Sequence, residues 1–86
     1  MDNNIREPNR LPVPVTARVS HDLTVRFREM SYRLSGIHNL VTGSVVLITH
    51  YDWRPVDRII VSFTDPNGDT RHYLAERTAR QATAVN

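Results

Sequence analysis

Asp65, Asn67, Asp69 and Glu76 fall at the first, third, fifth and twelfth places of a calcium-loop spacing. Oxygen ligands in that order can wrap a hard cation, but the sixth place needs glycine for its sharp turn and holds Thr70. The flanking residues read as strands where the motif needs helices, and Asp-Pro-Asn-Gly is ordinary turn chemistry. The stretch therefore predicts a turn and no metal. His50 and His72, with Asp52 nearby, have the chemistry for zinc with one position left to water. No diagnostic spacing pairs them, and His21 and His38 lie elsewhere in the chain. The chain has no cysteine, which removes disulfides and thiolate metal sites. A nucleophile would have to be serine or threonine, and there is no Gly-x-Ser-x-Gly elbow and no glycine-rich phosphate loop. Carboxylate pairs drawn from Asp52, Asp57 and Asp65 are of a kind any small protein offers. The sequence predicts no catalytic residue, no metal site and no cofactor, and reads as a non-enzyme.

Recognition chemistry is better represented. The stretch His50-Tyr51-Asp52-Trp53-Arg54-Pro55 holds the single tryptophan and one of three tyrosines. It falls between two β-branched runs and reads as their connection. Loops lie on the surface, and Trp, Tyr and Arg are enriched where binding energy concentrates. Tyr51, Asp52, Trp53 and Arg54 are accordingly predicted to contact a partner. Arg54 precedes a proline, which holds it extended. The competing reading has Trp53 folding back to cap the core, since tryptophan is highly buried on average. A second patch depends on a helix: Val25 and Tyr32, seven residues apart and flanked by Arg28, would lie together opposite its core stripe.

The elements that must carry these residues are read from periodicity. Residues 13–27 alternate, with Val13, Val15, Ala17, Val19, Leu23, Val25 and Phe27 on odd positions, a strand signal. Leu23, Phe27, Met30, Leu34, Ile37 and Val41 also recur at helical spacing. Ser20 as N-cap, Asp22 in the first turn, the Asp22–Arg26 and Glu29–Arg33 pairs, and Gly36 before Ile37 favour a helix over 21–35. Residues 13–19 would then be the preceding strand. The alternative is two strands with a bulge near Arg28–Glu29, where the alternation changes phase. Residues 44–50, 57–64 and 70–75 read as strands of an antiparallel meander, the last two joined by the turn at 65–69. The helix is expected to set Leu23, Phe27, Met30 and Leu34 against Val45, Leu47, Ile59, Val61 and Phe63.

These readings give an α+β fold: one small domain in β-α-β-β-β order, with a mostly antiparallel sheet and one packed helix. A small all-β barrel is the alternative. Residues 1–12 read as a flexible arm, 13–76 as the globular domain, and 77–86 as a short helix or flexible tail. The chain of 86 residues leaves room for one domain. No apolar run approaches a membrane span, and the polar, acidic start shows no secretory signal, so a cytoplasmic location is expected. All eleven basic residues are arginine, the better residue for bidentate anion recognition and for stacking. The net charge of +2 is nevertheless weak for a polyanion-binding protein. The expected function is a non-enzymatic regulatory module that binds a protein partner, or a second copy of itself, through the 51–54 loop or the Val25/Arg28/Tyr32 face. The alternative is a nucleic-acid or ribonucleoprotein-binding module using arginines and sheet aromatics.

Overall fold

The computed structural model describes residues 9–53 and 55–78. Arg54 lies outside the described residues, as do the first eight residues of the expected arm and positions 79–86 of the expected tail.

The helix over 21–35 does not form. The segment is a β-hairpin of β2 (Thr24–Phe27) and β3 (Met30–Arg33), and the described residues contain no helix. Magnitudes explain the outcome. The helical stripe would leave Val25 and Tyr32 in water, whereas the hairpin buries both, at 1% and 0% exposure. Each such burial stabilises by about 1.5–3 kcal/mol. The charge pairs that favour the helix are worth about 0.2–0.5 kcal/mol each. Thr24, Val25, Phe27 and Tyr32 also prefer strand geometry. The α+β class and its β-α-β-β-β order are therefore corrected to an all-β fold.

With β1 (Asn9–Arg18), β4 (Val45–Tyr51), β5 (Arg58–Thr64) and β6 (Thr70–Arg77), the strands form one antiparallel sheet in the order β1-β4-β5-β6-β3-β2. The sheet curls into a half-barrel around a single core. That core contains Val25, Phe27, Tyr32, Leu34, Val46, Ile48, Ile59, Val61, Phe63 and Ala75. The expected strands at 44–50, 57–64 and 70–75 are present, and they are adjacent as a meander. The inward face of β4 differs from expectation: Val46 and Ile48 point to the core, while Val45 and Leu47 are exposed. A run of four apolar residues, 45–48, carries no period of its own. Pairing decides its face instead, setting Ile48 opposite Val61 and Leu47 opposite Ser62.

β1 begins at Asn9, inside the segment read as a flexible arm. Its pairing with β4 slips between Arg10 and Val15. Pro12 and Pro14 lie in that stretch and cannot donate to a ladder, and proline in sheets is confined to edges and irregularities of this kind. The β1–β2 connection is tied by side chains. Ser20 Oγ donates to Asp22 Oδ1, and Thr24 Oγ1 donates to the same oxygen at 2.8 Å. These bonds, Ser20's first, hold the Asp22 carboxyl below its usual pKa. The 65–69 turn folds as expected. Asp65 Oδ1 accepts from the amides of Asn67 and Asp69, each at 3.0 Å, and Gly68 takes a positive φ of 91°. No helix among the described residues is long and apolar enough to cross a membrane.

Candidate partner-binding site

Antiparallel order brings the C-terminal ends of β2, β4 and β6 and the N-terminal ends of β1, β3 and β5 to one end of the sheet. The β2–β3 turn and the β4–β5 connection therefore meet a common edge of the half-barrel. Phe27 pairs with Met30, leaving only Arg28 and Glu29 to turn the chain. Their φ angles are 53° and 67°. A two-residue hairpin of type I′ requires positive φ at both central positions and strongly prefers Asn-Gly or Gly-Gly there. Arg-Glu is a strained choice, at about 1–3 kcal/mol for each residue held in a sparse region.

The turn carries Arg28 over aromatic rings. Its guanidinium carbon lies 4.4 Å from the centroid of the Tyr51 ring and 5.1 Å from that of Phe27. The two rings are themselves 6.4 Å apart and tilted by 44°. Cation–π contacts of this kind contribute about 0.5–1 kcal/mol at exposed sites. Arg28 and Tyr51, far apart in sequence and assigned by sequence to different patches, thus belong to one site. Tyr51 faces inward opposite Ile59 and packs against the core. Trp53, two residues further on, is 54% exposed and does not belong to the core.

Asp52 is a different kind of residue from its neighbours. It is 6% exposed, and its Oδ2 accepts from Arg58 Nη2 at 3.0 Å and Nε at 3.3 Å. Its amide donates to the Arg58 carbonyl at 2.8 Å. Asp52 fastens the base of the β4–β5 connection, and its carboxylate faces Arg58 rather than open solvent. Val25 and Tyr32 are core residues on adjacent strands, paired with each other. The surface they were expected to form on a helix does not exist, because the segment is the β2–β3 hairpin. The Tyr32 hydroxyl donates to the Val56 carbonyl at 2.6 Å. Burial raises its pKa above the usual 10.0. Among the residues expected at the site, then, Arg28, Tyr51 and Trp53 are presented at one end of the sheet, Asp52 braces them, and Val25 and Tyr32 support them from below.

Residues not singled out by sequence complete the surface. A cleft of about 460 Å³ is lined by Arg28, Glu29, Met30, Ser31, Arg77 and Thr78. Arg77 pairs with Asp57 at 3.3 Å, and its other terminal nitrogen lies 3.8 Å from Met30 Sδ. Only the register places Arg77 beside β3, opposite Tyr32, and no local pattern in the sequence announces that pairing. His50 and His72, weighed as zinc ligands, stand on β4 and β6 with β5 between them, opposite Ile60 and Ser62 respectively. His50 Nδ1 is engaged by Thr49 Oγ1 at 2.8 Å. No group of three or more metal-ligating side chains exists among the described residues. No protein-family model, no curated protein and no solved structure matches this chain.

Proposed function

We propose that this half-barrel is a non-enzymatic module that binds a protein partner through the end of the sheet bearing Arg28, Tyr51 and Trp53. The observation that carries the reading is the Arg28–Glu29 turn. A glycine-containing turn would close the same hairpin without strain. The residues actually present hold a guanidinium over Tyr51, near a connection that exposes the single tryptophan. Strain retained at a surface position is a mark of function. Charge favours protein over nucleic acid as the partner. Arg28, Arg58 and Arg77 are interleaved with Glu29, Asp52, Asp57 and Glu76, and two of those arginines are already ion-paired. A phosphate-tracking surface is dominated by one sign of charge.

The test is affinity purification of the tagged protein from its own cells, with and without nuclease, alongside the variants Arg28→Gly and Trp53→Ala. A polypeptide that stays bound after nuclease and is lost from both folded variants supports the reading. Sedimentation of the complex separates a second copy of this chain from a foreign partner. Release by nuclease, together with an affinity that falls steeply with salt, would overturn it in favour of a nucleic-acid module.

A further inference from the structure

Arg28 is fixed in place and yet uncommitted. Its guanidinium is held by the faces of Tyr51 and Phe27, and among the described residues it forms no hydrogen bond and no ion pair. The ring contacts satisfy none of its hydrogen-bond donors, so the N–H edge of the group remains available. That edge is a planar fork whose geometry matches a carboxylate or phosphate through two parallel hydrogen bonds. Ordering a long side chain normally opposes binding, and here the rings have already ordered it. Across the cleft, Arg77 is also positioned, by Asp57 and by the sulfur of Met30. Ser31 and Thr78 line the space between them, and the Thr78 amide donates to the Ser31 carbonyl at 3.0 Å, closing its floor.

We propose that the cleft between Arg28 and Arg77 receives the carboxylate of an acidic segment of a partner protein, with Arg28 as the bidentate anchor. The proposal rests on the protein-binding reading above and names the chemistry that the surface selects. The rim argues for an isolated carboxylate over a phosphate chain. Glu29 forms part of the cleft and Asp57 already neutralises Arg77, so the charges around the site sum to about zero, Arg28 alone is left to meet a single carboxylate, and nothing there favours a strand that brings a negative charge at every nucleotide. The two hydroxyls and the methionine suit the neighbouring polar and apolar atoms of a peptide.

Titration followed by NMR of the arginine Nε–Hε groups tests this in the intact protein. The probes are a capped peptide of alternating glutamate and leucine, the same peptide with glutamine in place of glutamate, and a single-stranded oligoribonucleotide. The glutamate peptide should move the Arg28 and Arg77 signals, and the glutamine peptide should leave them in place. Arg28→Gln, which keeps the side chain's bulk at the same backbone, and Arg28→Gly, which suits the positive φ, should each weaken binding by about tenfold or more, the effect of losing a charge-assisted pair. The amide spectrum of each variant verifies the fold. Equal binding of the two peptides, or unchanged binding by both folded variants, overturns the proposal. If the glutamate peptide fails while nuclease-resistant capture still depends on Arg28 and Trp53, carboxylate recognition falls and the protein-binding reading stands. If only the oligoribonucleotide moves the arginine signals, both fall.

Discussion

Tyr32 shows how one side chain can be assigned the wrong role for a legible reason. Placed on a helix it is an exposed aromatic beside an arginine; placed in β3 it is fully buried, with only its hydroxyl spoken for. Tyr32→Phe should lower stability by about 0.5–1.5 kcal/mol, the net worth of one hydrogen bond, measured by urea unfolding near neutral pH. The same variant should change the alkaline limb. The folded phenol ionises above the usual 10.0 because burial disfavours its charged form. The unfolded chain releases that proton first, so the contribution is intact below pH 10.0 and is lost as pH rises through the folded value. Wild type should therefore lose stability above about pH 10 faster than Tyr32→Phe; parallel curves would remove Tyr32 from the alkaline transition. Asp22 acts with the opposite sign. Its pKa is depressed by the Ser20 and Thr24 hydroxyls, so its contribution is present above the usual 3.8 and fades as pH falls through the depressed value. Asp52→Ala should cost about 1–3 kcal/mol, since it leaves Arg58 without its buried acceptor, while the exposed Trp53→Ala should leave the melting temperature nearly unchanged. A large loss of stability in Trp53→Ala would show that the indole supports the fold after all.

At the scale of elements, the β2–β3 hairpin explains both what the sequence disclosed and what it concealed. A two-residue turn pairs Phe27 with Met30, a step of three. Core residues on either side of it step by two, giving Leu23, Val25, Phe27, then Met30, Tyr32, Leu34. Skip Val25 and Tyr32 and the remaining spacings are four, three and four, which is also the stripe of an amphipathic helix. The two residues that distinguish the cases are those that read as an isolated surface patch. Within a hairpin they complete both period-two series. The change of phase at Arg28–Glu29 was visible, but these residues lack the glycine or asparagine by which such turns are recognised. By contrast, the Asp65–Asp69 turn announces itself through Pro66 and Gly68, and the β5–β6 hairpin was legible in full. Arg28 and Tyr51 were each identifiable as recognition residues, but their meeting is a product of sheet order, which single-sequence periodicity does not encode. Strain at the turn makes its own prediction: Glu29→Gly should stabilise the protein by up to about 1 kcal/mol, since its φ of 67° suits glycine better. A thermal melt at or below the wild-type temperature would mean that the Glu29 side chain contributes more than its backbone loses.

At the scale of the molecule the governing fact is that, among the described residues, the sheet is open with two edges, β1 and β2. Unpaired edges invite association with other chains. β2 offers only four residues. β1 is longer, at ten residues, and carries Pro12 and Pro14. Replacing both prolines with threonine restores two donors to an edge strand, and should raise self-association on gentle heating as seen by light scattering. Unchanged scattering would mean that the slip in register alone protects this edge.

The two flanks of the sheet are attached by different means. β3 shares only two register pairs with β6, yet its hairpin sends Val25, Phe27 and Tyr32 into the core. β1 runs alongside β4 at both of its ends, yet residues 12–16 are all exposed. One flank is held mainly by oil; the other, which sends only Leu11 and part of Ala17 to the core from its strand, is held mainly by amides. Urea distinguishes the two, because the denaturant dependence of an opening scales with the surface it uncovers. In amide exchange, Val25 and Tyr32 should follow the steep slope of global unfolding. Val15 and Ala17 should exchange through shallow openings, with β1 lifting away while the rest of the sheet stays closed. The flank carrying Arg28 would then be among the last parts of the molecule to let go, so a site built on a strained turn rests on its most cooperative foundation.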